Sequence, residues 1–477
     1  MWERWSFYGM RSILVAFLVA TAAQGGLGFD EGHARSLYHI YLALIYLASL
    51  PGGWLADRFL GQRRSVLWGG VLIMCGHIAL AIHGVPTFFT GLLLVICGTG
   101  MLKPNASTIV GALYSKDDER RDAAFSIFYM GINTGSFLGQ LVAPYLAQHS
   151  SVRAFLERHH IDPTHVWQLG FGSAALGMLI GLIQYVRGQK HLGDAGGRPR
   201  MPATAGDWRA LKIGAALALV AIVGVAVLVS LGRLTLEAID DSFGTLLVVL
   251  TIAAFVRIFT AGSWNTAERR RLYAILIFFL ASCFFWSAFE QAGSTLNLFA
   301  INKTEGSLLG VEIAPGWYQN VNALCIIAFS PLFAWIWLSL GKRDPSHPIK
   351  FALGLLFVGL GFVVMARGAA LAAGGERVGP IYLIVCYVCH SVGEVCLSPV
   401  GLSAMTRLAP ERVTGLMMGV WFLSISVGSY LGGRIAHAYE GLSEQGLFTT
   451  IATLTIASAV VMVLLARPLQ RLSRSEA

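Results

Sequence analysis

A chain of 477 residues, 55% hydrophobic and 13% charged, with a mean hydropathy of +0.65, lies outside the range of soluble domains, where about 25% of residues carry charge. At roughly 20 apolar residues per bilayer crossing, fourteen helices need about 280 residues, which leaves little chain for a soluble domain. This excludes a cytosolic enzyme and a nucleic-acid-binding protein, so the net charge of +9 is read first as membrane topology.

In chain order, apolar runs separated by charged or Gly/Pro-containing breaks fall at about 1–24, 35–57, 65–84, 86–113, 122–147 and 166–187, giving six candidate spans. A second six follows at about 272–300, 315–340, 349–367, 379–407, 412–437 and 445–467, which reads as a duplicated bundle. Between them, two spans at about 210–231 and 242–256 have cores free of ionisable residues and read as peripheral, lipid-facing helices. The sequence thus predicts an all-α integral membrane protein with fourteen transmembrane helices. Its parts are an N-terminal six-helix bundle at 1–187, a linker with the extra helix pair at 188–270, and a C-terminal six-helix bundle at 271–477. Gly188 to Asp207, with Gly193, Gly196, Gly197, Pro199 and Pro202, has the composition of a flexible linker.

Twenty-four of the 35 Lys and Arg residues share one side if the N-terminus is cytoplasmic, and seven fall opposite. The positive-inside rule then places both termini in the cytoplasm. Arg4, Arg11, Lys103 and Arg434 remain, and are expected inside the bundle. No cleavable signal peptide is expected, because the first apolar run carries Glu3, Arg4 and Arg11 and lacks a small-residue cleavage site leading into a soluble domain. The seven cysteines all sit in apolar stretches, where a thiol behaves as a small hydrophobe. Cys386, Cys389 and His390 spell the C-x-x-C-H pattern of covalent haem attachment. That chemistry needs an exposed segment, whereas Ile381 to Pro399 reads as a continuous apolar helix, so the spelling is taken as coincidence.

A charge at the bilayer centre costs roughly 2.5 to 3.5 kcal/mol on insertion scales, so ionisable residues within spans are functional candidates by default. In the first run, Arg4, Tyr8 and Arg11 share one helical face beside Glu3. His39 and Tyr46 follow in the second span, Lys103 in the fourth and Asn133 in the fifth. The second half contributes Trp286, Glu290 and Asn297 on one face, then Asn322, Glu394, Trp421 and Ser424. Cations thus gather in the first half and carboxylates in the second. A cavity between them, positive on one wall and negative on the other, is complementary to a zwitterion such as a short peptide. Asn133 and Asn322 can donate to and accept from a peptide amide, and Tyr8, Tyr46, Trp286 and Trp421 can form side-chain pockets. Composition alone leaves an amino-acid or drug transporter equally open.

At these residues the sequence resembles the proton-dependent oligopeptide transporter family of the major facilitator superfamily. Glu3-Arg4-Trp5-Ser6-Phe7-Tyr8-Gly9 is similar to its E-x-x-E-R-F-x-Y-Y-G signature, with Trp5 where Phe is usual and Phe7 where Tyr is usual. The signature's first glutamate falls one position ahead of Met1, so the numbering is expected to begin inside the motif. Phe128 to Gly135 resembles F-Y-x-x-I-N-x-G, and Gly393-Glu394 through Ser398-Pro399-Val400-Gly401-Leu402-Ser403 resembles the tenth-helix signature. Gly53 to Arg58, with Gly61 and Arg63, resembles the superfamily loop motif between the second and third helices.

The resemblance implies the major facilitator fold with the extra helix pair of bacterial members, in the inner (plasma) membrane, and import of di- and tripeptides by proton symport. It implies that Arg4 and Lys103 hold the peptide carboxylate, Glu394 the amino terminus, and Asn133 and Asn322 the backbone, with Tyr8 and Tyr46 lining the pocket. Tyr38-His39 resembles a Tyr-His pair of mammalian relatives in which the histidine handles protons. Glu290 resembles the acid that pairs with the first-helix arginine, here Arg11. The expected gating group is Glu3, Arg11, His39 and Glu290, and a Glu394–Lys103 pair is expected as a second inter-half contact. No enzyme activity, cofactor or nucleic-acid partner is expected, and a monomer is expected to function. Nitrate, another small solute or a peptide-like drug is the alternative cargo, and a membrane haem protein the remote alternative.

Overall fold

The computed structural model describes residues 1–114, 120–260, 262–410, 413, 416–438, 441 and 443–473. The first half comprises α1 (Trp2–Val19), α2 (Glu31–Leu55), α3 (Gln62–Leu80), α4 (Val85–Ala112), α5 (Arg120–Gln148), a short α6 (Ser150–Arg158) and α7 (Val166–Gly188). Next come α8 (Ala205–Ser230) and α9 (Leu236–Thr260). The second half has α10 (Thr266–Phe289), α11 (Thr295–Asn302), the β1 (Ser307–Leu308) and β2 (Val311–Glu312) hairpin, then α12 (Asn320–Leu340), α13 (His347–Ala372), α14 (Ile381–Leu408), α15 (Met417–Ala438), α16 (Glu444–Leu464) and α17 (Ala466–Ser473).

Fourteen of the described helices have 18 residues or more, and ten helical stretches are both long and apolar enough to cross a membrane. The four long helices outside those ten are α1, α3, α5 and α15. All four carry buried polar groups: Arg11 on α1, His77 on α3, Gln140 on α5 and Ser424 on α15.

Within the first half, α1 packs on α5 and α7, and α3 on α4 and α7. Within the second, α13 packs on α14 and α16, and α10 on α15. The halves meet where α2 lies on α15 and α5 on α12. Each half has its own apolar core, one built around Phe17, Phe88 and Phe171, the other around Phe279, Phe351 and Phe362.

The structure departs from the sequence reading in four places. The run at 272–300 is two helices, not one. After Phe289 the chain tightens into a 3-10 turn, Glu290–Gly293, and Ser294 (φ −117°, ψ −94°) breaks the spiral. Tertiary packing forces the break: a Cβ on Gly293 would lie 2.0 Å from the Tyr38 hydroxyl, and the Tyr387 hydroxyl donates to the carbonyl of Ala292 at 3.0 Å. Second, the Gly-rich linker is pinned. Arg63 Nε donates to the Ala195 carbonyl at 2.6 Å, Arg63 Nη2 donates to that of Gly193, and Met201 N–H donates to the Asp57 carbonyl at 3.2 Å. Third, Arg434 is not inside the bundle; its side chain is 41% exposed and holds Asp240 and Asp241 of α9 at 3.1 and 2.7 Å. Fourth, α6 and the hairpin at 307–312 occupy stretches that carried no sequence signal. Of the extra pair, the apolar stretch of α8 buries none of its residues, whereas α9 seats Phe243 and Leu247 against Ala43 of α2.

Candidate functional site

A hollow opens where the two halves meet. Its walls are Tyr8, Arg11 and Gln140 from α1 and α5, Tyr46 from α2, and, from the second half, Trp286, Glu290, Gln319, Asn322, His390 and Glu394. Arg11 Nη2 sits 2.7 Å from Glu290 Oε2, with both side chains at least 95% buried. Arg11 Nε also donates to the Tyr38 hydroxyl at 2.6 Å. Glu290 begins the 3-10 turn, so Arg11 lies at the carboxyl end of α10, where unpaired carbonyls favour a cation. The helix break therefore supports the ion pair as well as shaping the wall.

Opposite this pair, Asn322 Nδ2 donates to Glu394 Oε2 and to Ser391 Oγ, both at 3.1 Å. Ser391 lies one helical turn before Glu394 on α14 and bonds back to the Tyr387 carbonyl, so one amide fixes the carboxylate to its own helix. The expected Glu394–Lys103 pair is absent among the described residues. Lys103 Nζ instead stands 3.8 Å from the centre of the Tyr46 ring and 5.8 Å from that of Phe422. A ring face attracts a cation without supplying a counter-charge, and Lys103 has no acidic partner among the described residues. Arg4 is held by its neighbour Glu3 through two contacts at 2.5 and 2.9 Å. Tyr8 lines the hollow with Arg11, Glu290 and Glu394, whereas Arg4 and Lys103 are not among its lining residues.

The remaining candidates sit around the hollow. Asn133 donates to the Tyr129 carbonyl on its own helix at 3.0 Å. His39 is fully buried, with Nε2 2.9 Å from Ser294 Oγ across the bundle interface. Asn297 donates to the Ser12 carbonyl at 2.9 Å, another cross-half bond. Trp421 and Ser424 are buried outside the hollow's lining, where the Trp421 ring faces Gly401 and Ser424 Oγ meets Ser282 Oγ at 2.8 Å. His390, the histidine of the haem-like spelling, packs against Phe362 and Gly361, with Nε2 3.5 Å from Cys386.

Sequence reading passed over Gln140, Gln319 and Tyr387, all in the wall. For Gln140 and Gln319 the signal was the one that found Asn322, an amide inside an apolar run; Tyr387 carried none.

The family model described as the POT family matches residues 63–453. The chain belongs to the POT family. It is 37% identical to the peptide transporter YePEPT of Yersinia enterocolitica, over 99% of this chain and 93% of that one. It is 35% identical to a di-/tripeptide transporter of Lactococcus lactis, over 99% and 94%. A crystal structure of a mutant peptide transporter POT in complex with alafosfalin superposes with a TM-score of 0.88 at 40% identity, covering 99% of this chain and 94% of the other. This POT chain is accordingly a multi-pass membrane transporter of the major facilitator fold, two six-helix bundles with an extra helix pair.

Proposed function

We propose that the chain is a proton-coupled symporter of di- and tripeptides, working by alternating access about the hollow between its halves. The observation that carries this reading is the charge layout of that hollow, with Arg11 and Tyr8 on one wall facing Glu290 and Glu394 on the other. Glu394 supplies the anion for a peptide amino terminus, and Asn322, already bonded to it, lies beside the first peptide amide. Lys103, with no acidic partner among the described residues, supplies the cation for the carboxylate, joined by Arg4 when Glu3 releases it. An extended chain advances about 3.3 to 3.6 Å per residue, so fixed charges at two ends favour two or three residues over one or many. Glu394 disfavours a purely anionic cargo such as nitrate, because its carboxylate would repel it.

Proton coupling falls to Glu290. Neutralising it removes the attraction that ties α1 to the α10–α11 break, and the halves are then freer to part. The coupling species is the proton, with no organic cofactor needed. The basic-residue distribution supports cytoplasmic termini in a bacterial cell, an orientation that turns the hairpin end of the interface outward, with a single chain as the transporting unit. Proteoliposomes with an inward proton gradient test the whole reading: labelled dialanine should accumulate above equilibrium and stop when a protonophore collapses the gradient. Equal uptake with and without the gradient would remove the coupling, and no uptake of any di- or tripeptide would remove the cargo.

A further inference from the structure

Beyond the hollow, one group of inter-half bonds lies on a single strip, the end of α5 with the start of α6 against the hairpin and the turn that follows it. Trp317 Nε1 donates to the Leu141 carbonyl at 2.8 Å, and its ring lies parallel (7°) to that of Tyr145, centres 6.3 Å apart. The Gly316 amide donates to Gln148 Oε1 at 2.9 Å. Gly316 is needed there, since a Cβ would come within 2.6 Å of Pro144. Glu312, the last residue of β2, reaches across to α6. Its Oε1 accepts from the Ser150 amide at 3.0 Å, and its Oε2 accepts from the Ser150 hydroxyl, with His149 Nδ1 3.6 Å away. The first amides of a helix have no partner within it. Here the Ser151 amide is met by the His149 ring at 3.2 Å, and that of Ser150 by a carboxylate from the other half of the molecule.

We infer that Glu312 and Trp317 form a clasp that holds this end of the interface shut in the substrate-free protein, independently of the Arg11–Glu290 pair. The inference rests on the alternating-access reading. None of the clasp groups lines the hollow, so neither peptide nor the Glu290 proton acts on them directly. The clasp therefore sets the resting bias that substrate and proton must overcome. A carboxylate capping a helix start is favoured by charge as well as by hydrogen bonding, and the parallel rings fix the angle at which hairpin and helix meet. Opening this end requires both contacts to part together.

Hydrogen–deuterium exchange on the substrate-free protein tests it, read at residues 8–18 and 290–302. These lie deeper in the same interface, and among the described residues no hydrogen bond or ion pair joins them to Glu312 or Trp317. The double variant Glu312→Ala, Trp317→Ala should speed exchange there about tenfold while leaving α3 unchanged. Acceleration confined to 145–158 and 305–320, or none at all, would overturn the clasp. If α3 speeds up as well, the double variant is generally weakened and Glu312→Gln decides, since it keeps the side-chain volume and one acceptor for Ser150. A rise at 290–302 then supports the clasp, and no rise overturns it. Uptake is not the readout, so a chain that carried no peptide would leave this result standing.

Discussion

Burial makes the Arg11–Glu290 pair costly to break by halves, because removing one partner of a buried ion pair leaves the other uncompensated, at about 3 to 5 kcal/mol. Glu290→Gln keeps the volume and an acceptor, and Tyr38 still engages Arg11, so the fold should survive at the low end of that range. Gradient-driven accumulation of dialanine should be lost, while counterflow exchange of peptide persists; accumulation that survives would take Glu290 out of the coupling role. Glu394→Gln acts differently. The Asn322 bond can be remade to the new amide oxygen, but the anion for the peptide amine is gone. A hydrogen bond to a charged group contributes about 1.5 to 3 kcal/mol, so KM for dialanine uptake should rise at least tenfold, and an unchanged KM would clear Glu394 of amine binding. At this scale the sequence was informative where a residue is expensive in lipid: Arg11, Glu290, Asn322 and Glu394 declare themselves as polar groups inside apolar runs, and all four line the hollow. Trp421 and Ser424 look equally eligible in the sequence. Only packing shows that Ser282 and Gly401 occupy their faces.

The helix order was legible from hydropathy, and the break in the 272–300 run was not. Gln291-Ala292-Gly293-Ser294-Thr295 after Glu290 is short, polar and bounded again by apolar residues, so the run still reads as one span, and the space beside Gly293 is taken by Tyr38 arriving from another helix. Gly293→Ala should therefore force the phenol away, cost Arg11 its second partner, and lower the unfolding temperature by the overpacking penalty of about 1 to 3 kcal/mol. The linker shows the same limit. Its glycines read as flexible until Arg63, in the first turn of α3, takes up its carbonyls. Arg434 shows the reverse case, a charge expected inside that instead ties α9 to the outer side of α15. The exposed Arg434–Asp241 pair contributes about 0 to 1 kcal/mol, Asp240 is the buried partner, and α9 contributes nothing to the hollow. Arg434→Ala should thus leave dialanine uptake within about twofold of wild type, and a larger loss would show that the extra pair takes part in transport.

For the whole molecule, the helices that fall short of membrane-crossing apolarity include those that place Arg11 and Gln140 at the hollow, so the cost of polar residues in lipid is concentrated where two bundles can share it. The clasp, lying outside the spans, answers to water instead. Partial burial pulls the Glu312 carboxyl up, but the hydrogen bonds from the Ser150 hydroxyl and amide, with His149 nearby, outweigh it and hold the group below the ordinary glutamate range. A depressed carboxyl stabilises the closed clasp fully above its unfolded value, about pH 4.3, and loses that contribution only as the pH falls through its lowered folded value. Between about pH 5.5 and 8 the Glu312 carboxyl is thus ionised throughout and adds no pH dependence of its own to uptake. The Glu312→Gln variant should then show an uptake profile of wild-type shape across that interval, changed in amplitude alone, while Glu290→Gln flattens it. A shifted midpoint in Glu312→Gln would mean that the clasp titrates with the transport cycle and that the two ends of the interface are electrically linked.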